Sequence, residues 1–170
     1  YDNEVRYTYD IKGRTTRIEE RIGTDWYNTD YTYNDGGNVD TVVTNTDGVS
    51  TTGYVYNKLG QLDQVIVPGG DIVDYDYAQT GVIETIDYPN DVATSYGYGC
   101  GHRDWVCDIT VHPTAGPPIP LFAETYLYDD VGNLRYITDI IAGPAAGAEF
   151  VYDDVYRLEE INNDIANGRY

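Results

Sequence analysis

The chain has 170 residues, the length of one domain, with 19 Tyr, 18 Gly and no Met, a composition far from the globular average but 41% hydrophobic and therefore foldable. A formal net charge of -19 excludes nucleic acid and anionic membrane surfaces as partners by repulsion, and leaves cations and neutral glycans open. No run reaches the roughly 18 apolar residues that membrane insertion needs and no signal peptide is visible; starting at Tyr1 without Met, the chain is expected to be a processed product or part of something longer.

The first element in the chain is "RYTYDIKGR", in which Tyr7 and Tyr9 flank a threonine, Asp10 follows, Gly13 comes four residues after Tyr9, and Ile18 comes nine after it. The same frame returns at Tyr31/Tyr33 with Gly37 and Val42, at Tyr54/Tyr56 with Gly60 and Val65, and at Tyr75/Tyr77 with Gly81 and Ile86. The fifth copy, Tyr96/Tyr98, breaks it: His102 stands in the glycine place and Cys107 in the aliphatic place. Tyr126/Tyr128 restores it with Gly132 and Ile137, and Phe150/Tyr152 closes the series with Tyr156 and Ile161. The second tyrosines are 21 to 30 residues apart, and such agreement across unequal spacings marks an internal repeat.

Each copy reads as a β-hairpin. Side chains two apart on a strand share a face, so Tyr-x-Tyr lays two rings side by side. Asp or Asn followed by a glycine free to take positive φ supplies the turn, and segments such as "QLDQVIV" and "NLRYITDI" return. One hairpin cannot bury its own apolar face, so copies must lie edge to edge, with tyrosines expected to stack on tyrosines in a column. The predicted fold is all-β: one elongated repeat domain of stacked antiparallel hairpins over 1–170. The segment nearest to a helical pattern is "LEEINNDIA", which Asn-Asn-Asp weakens. Because the tyrosines recur with the fold period, their role is packing.

The longest spacing follows from the insertion "HPTAGPPIPLFAE", whose Pro113, Pro117, Pro118 and Pro120 are unsuited to a central strand. A proline-rich surface loop is predicted over 108–124, a candidate contact site.

All the cysteines and histidines lie together in "CGHRDWVCDITVH" as Cys100, His102, Cys107 and His112. Three readings stand: a Cys100–Cys107 disulfide, two unpaired cysteines, or a metal cluster of all four, though Cys-x-His-x4-Cys-x4-His matches no familiar zinc pattern. In a regular hairpin the two cysteines would be roughly 13 Å apart, beyond the ~7 Å that a disulfide spans. Pairing therefore requires the fifth hairpin to be irregular, which Gly97, Gly99 and Gly101 permit.

No nucleophile is paired with a base, and there is neither a Gly-x-Ser-x-Gly nor a phosphate-binding glycine loop, so neither catalysis nor a cofactor is expected. The acids Asp129/Asp130 and Asp153/Asp154 fall at turns, where Asp bonds its own backbone, and no EF-hand loop is formed.

"YTYDIKGR", "YLYDDVGNL", "YVYNKLGQL" and "VYDDVYRL" resemble the YD-repeat family, also called RHS repeats, over essentially the whole chain. The resemblance implies strips of antiparallel hairpins that spiral into shells or rods, as in bacterial polymorphic toxins, insecticidal toxin complexes and teneurins, with a role in enclosure, scaffolding or surface contact. The self-cleaving Asp-Pro-x-Gly segment that often ends bacterial shells is absent from these residues. A strip has two open edges, so the expected partner is another copy, or a continuation of the same chain, at an extracellular or cell-surface location. The rival reading is an adhesion or glycan-binding surface formed by exposed Tyr, Trp26, Trp105 and the proline-rich loop.

Overall fold

A computed structural model describes residues 3–46, 48–102, 104–117, 119–143 and 146–162. It is all-β, with strands that follow one another in the sheet in chain order and pair antiparallel. By compactness the chain divides into two units, Tyr1–Asp74 and Tyr75–Tyr170. The physical reason is that each hairpin of a repeat touches only its neighbours, so compactness is a local property.

The first unit holds β1 (Glu4–Tyr9), β2 (Thr15–Ile22), β3 (Asp25–Tyr33), β4 (Val39–Thr44), β5 (Ser50–Tyr56), β6 (Leu62–Ile66) and the start of β7 (Ile72–Tyr77). The second continues with β8 (Ile83–Tyr88), β9 (Val92–Tyr98), β10 (Val106–Pro113), β11 (Phe122–Tyr128), β12 (Leu134–Asp139), β13 (Gly147–Tyr152) and β14 (Leu158–Asn162). Within a copy, the first ring lies directly across from the branched aliphatic: Tyr7 opposite Ile18, Tyr31 opposite Val42, Tyr54 opposite Val65, Tyr126 opposite Ile137 and Phe150 opposite Ile161.

The turn explains the Asp that follows the second tyrosine. Asp10 Oδ1 accepts from the backbone N–H of Lys12 (2.8 Å) and of Arg14 (2.9 Å), while Gly13 N donates to Asp10 O at 3.0 Å. Asn57, Asp129 and Asp153 hold their turns in the same way. Gly13 takes φ +81°, a left-handed value that L side chains resist. In the last copy Tyr156 occupies that position at φ +63°. A register shift beside the second tyrosine absorbs the extra turn residue as a bulge.

Three expectations are corrected. Among the described residues the Tyr–Tyr stack seen lies within one copy, Tyr7 on Tyr9 at 6.4 Å, and not in a column from copy to copy, whose first tyrosines stand on strands two spacings, ~10 Å, apart. The loop set at 108–124 is shorter: β10 runs to Pro113, β11 begins at Phe122, and 114–121 connects them. Pro113 fits because it is the last residue of its strand, opposite Val92, where Thr114 N takes up the pairing with Asp91 O at 2.9 Å. Pro117 and Pro120 remain in the connection, and Pro118 lies outside the described residues. Finally, Cys107 does not fill the aliphatic place, since Ile109 is the residue opposite Tyr96.

Candidate functional site

Two features rise above the repeat: the irregular fifth hairpin and the joint between copies. In the fifth hairpin the turn is two residues longer than its siblings, and a bulge between Val106 and Asp108 shifts the register. Cys107 falls in the bulge, which brings its Cα to 5.5 Å from that of Cys100, and the two form a disulfide. Gly99 and Gly101, at φ +105° and +114°, flank Cys100 and make the tight turn that brings it to Cys107. Gly97 leaves room for the facing Asp108 carboxylate, which a Cβ there would strike.

The loop closed by the disulfide carries Trp105. Its ring packs on Tyr128 at 5.1 Å and on His102 at 5.5 Å, and a Cβ built on Gly132 of the next turn would lie 2.9 Å from Trp105 Cζ2. Trp105 is thus a wedge between the fifth and sixth copies. The best-buried residues described, Ala93, Thr94 and Ala123, lie towards the other ends of β9 and β11.

The cysteine–histidine cluster does not gather. Cys100 and Cys107 are bonded to each other, His102 stacks on Trp105, and His112 lies on β10 with Nε2 3.1 Å from Ser95 Oγ. Among the described residues no three His, Cys, Asp or Glu side chains are placed to hold a metal. Sequence reasoning missed the Ser95–His112 pair, because nothing in the chain signals that residues 17 apart become diagonal neighbours across β9 and β10. His112 Nδ1 lies 3.1 Å from the Pro113 carbonyl, where the orienting group of a triad would be a carboxylate. The pair is a cross-strand polar contact of the kind that holds sheets in register. In the first unit an open groove of about 340 Å³ over β2 and β3 is lined by Ile18, Glu20, Ile22, Tyr27, Asn28, Thr29 and Thr46.

The joint between copies carries its own chemistry. The hydroxyl of the second tyrosine donates to the carbonyl of the first residue of the preceding return strand: Tyr33 to Thr15 at 2.6 Å, Tyr98 to Ile83 at 2.7 Å, Tyr128 to Val106 at 2.9 Å and Tyr152 to Leu134 at 3.0 Å. The motif's second ring therefore ties its hairpin to the one before it, each bond contributing on the order of 1 kcal/mol. At the first joint Arg14 also bonds Asp10 and lays its guanidinium 4.2 Å from the Tyr33 ring centroid.

These bonds move the titrating groups. The Arg14 backbone N–H, aided by its guanidinium, holds the Asp10 carboxyl below the usual carboxylate range, and the Arg157 backbone N–H does the same for Asp153. The Arg17 guanidinium lowers Asp30. Burial pushes the Tyr98 and Tyr126 phenols up, and for Tyr126 the Glu124 carboxylate, 2.8 Å from its hydroxyl, adds to it.

Neither a protein-family model nor a curated protein matches the chain. Among solved structures it is similar to a chain of the TcdB2–TccC3–Cdc42 crystal structure, at 18% identity over 92% of its length with a TM-score of 0.75. It is similar also to a chain of the Photorhabdus luminescens Tc holotoxin pore with a TccC3 mutation, at 17% identity over 95% with a TM-score of 0.76. In both the match occupies 9% of the other chain, so this one spans about a tenth of their length. At such identity the likeness is one of fold, and it is the fold that the YD-repeat resemblance implies.

Proposed function

We propose that the chain is a non-catalytic, extracellular stretch of YD-repeat wall, a scaffold whose chemistry is backbone pairing and side-chain contact between hairpins. The observation that carries this reading is the joint: the same tyrosine-to-carbonyl bond recurs from copy to copy, so the motif residues are spent on holding the strip together. The similarity to chains of toxin complexes that are far longer supports a role as part of an enclosure. The adhesion reading loses Trp105, which is wedged against Gly132 and Tyr128, and keeps the exposed Trp26, Tyr7 and Tyr9.

Electron microscopy of the assembled protein tests the proposal. Strips, tubes or hollow particles with a repeating wall are the expected result; compact monomers alone at high concentration would overturn it. The extracellular part has a separate test, because a disulfide persists in an oxidising compartment. Protein taken from its native source and unfolded without reductant should show no reactive thiol, and two would remove that argument.

A further inference from the structure

The fifth hairpin closes its turn differently from its siblings. In the regular copies the residue after the second tyrosine donates its backbone N–H to the carbonyl just before the return strand: Asp10 to Arg14, Asn57 to Gln61 and Asp129 to Asn133 at 2.9 Å, and Ala78 to Val82 at 3.0 Å. In the fifth copy Gly99 stands in that place, and its N–H reaches the Trp105 carbonyl at 3.3 Å across the enlarged turn. Gly99 has no side chain to cap the turn as Asp129 does in the sixth copy. The Cys100–Cys107 disulfide spans the same gap and supplies the missing closure.

Two residues inside that disulfide loop carry the joint to the sixth copy. Val106 offers its carbonyl to the Tyr128 hydroxyl at 2.9 Å, and Trp105 lays its ring on Tyr128 and against Gly132. Both cysteines of the chain are here, so the other hairpins keep their strands without a cystine. What the bond adds in the fifth is the position of Trp105 and Val106. Gly99 and Gly101, in left-handed conformations, give the turn many alternative paths once it is untied. The bond is also within reach of a reagent: Cys100 and Cys107 are half-buried, while Gly99, Gly101, His102 and Asp104 around them are exposed. Exposed disulfides are the ones that exchange with thiols.

We propose that Cys100–Cys107 is a thiol–disulfide exchange site for a dithiol reductant, and that its reduction frees Trp105 from the sixth copy while the flanking strands stay paired. A thiolate of the dithiol attacks one of the two sulfurs; the S–S bond breaks, a mixed disulfide forms and the other sulfur leaves as a thiolate. The second thiolate of the dithiol then displaces the protein sulfur and closes a disulfide of its own. Two electrons pass to the protein, and the two protons given up by the dithiol end on Cys100 and Cys107. The turn regains the freedom that the cross-link removed, and the wedge and the acceptor of the Tyr128 hydroxyl move with it. This inference goes beyond the wall reading and stands on the second unit alone, so it holds or fails whatever the chain encloses.

The test uses the 170-residue chain with Trp26→Phe, which leaves Trp105 as its one tryptophan, and dithiothreitol as the dithiol. Treated while folded and freed of reductant, the chain should show two reactive thiols. The acrylamide quenching constant of Trp105 should rise at least about twofold as the ring leaves its contacts. Far-UV circular dichroism should keep the strand signal to within about a tenth, because each hairpin is held by its own neighbours. The double variant Cys100→Ser, Cys107→Ser should match the reduced parent and not respond to dithiothreitol; the reduced parent decides if that variant does not fold. No thiol on the folded chain, under conditions that reduce the urea-unfolded chain, would overturn the exchange site. Two thiols with unchanged quenching would overturn the hold on the wedge, and loss of the strand signal on reduction would overturn the local release.

Discussion

Gly132→Ala separates backbone strain from packing, because Gly13 offers the same change without the packing. At Gly13, with φ +81°, a Cβ would have nothing within 4 Å, so Gly13→Ala costs only the left-handed conformation, about 1–2 kcal/mol. At Gly132, with φ +93°, the Cβ meets Trp105 Cζ2 at 2.9 Å and two more ring atoms at 3.5 Å. Overpacking adds about 1–3 kcal/mol, for a total of about 2–5 kcal/mol. In a chain of this size 1 kcal/mol moves Tm by roughly 2–4 °C, which sets the expected losses at roughly 2–8 °C for Gly13→Ala and roughly 4–20 °C for Gly132→Ala. Thermal melts followed by circular dichroism measure both. The two changes share a backbone cost, so repeating Gly132→Ala in a Trp105→Ala background should shrink its effect to that of Gly13→Ala. Equal losses for the two single variants, or an undiminished loss without Trp105, would refute the wedge between the fifth and sixth copies.

Other expectations follow from the same geometry. Tyr156→Gly should stabilise by about 1 kcal/mol in urea titrations, because it replaces a non-glycine residue at φ +63° with the residue found at that place in five other copies. Tyr33→Phe should cost about 0.5–1.5 kcal/mol by the same titration, through loss of the bond to Thr15 O. The carboxyls of Asp10, Asp30 and Asp153 titrate below their unfolded value, so their contribution is present above about pH 4 and is lost as pH falls through their folded values. The phenols of Tyr98 and Tyr126 titrate above theirs, so their contribution is present below about pH 10 and is lost as pH rises through the folded values. Urea midpoints should therefore hold between pH 5 and 9 and fall on either side, with Asp10→Asn flattening the acid limb.

Much of the strip was legible because a hairpin is a local object. Asp10, Gly13 and Ile18 fall within ten residues of Tyr9, and the turn, the return strand and the ring-to-aliphatic pairing follow from that spacing. What misled the reading was sequence arithmetic carried across an irregular turn. Counting nine from Tyr98 lands on Cys107, yet the two-residue enlargement moves Ile109 into the aliphatic place and puts Cys107 in the bulge beside Cys100. The proline content of "HPTAGPPIPLFAE" overstated the loop, since a proline at the end of a strand forfeits no bond within it. The column of tyrosines failed for a simpler reason: the return strand that each copy needs also keeps its rings apart from the next.

The sequence by itself determined the unit, its number and its order, since period, turn chemistry and strand alternation are all written within a few residues. Only the tertiary structure decided what joins one unit to the next: the tyrosine hydroxyl reaching a carbonyl 15 to 22 residues earlier, Arg14 over Tyr33, and Trp105 against Gly132. Those contacts depend on register, and register is the sum of every turn length and bulge along the way. A spacing pattern cannot carry that sum past the one copy in which the turn is longer.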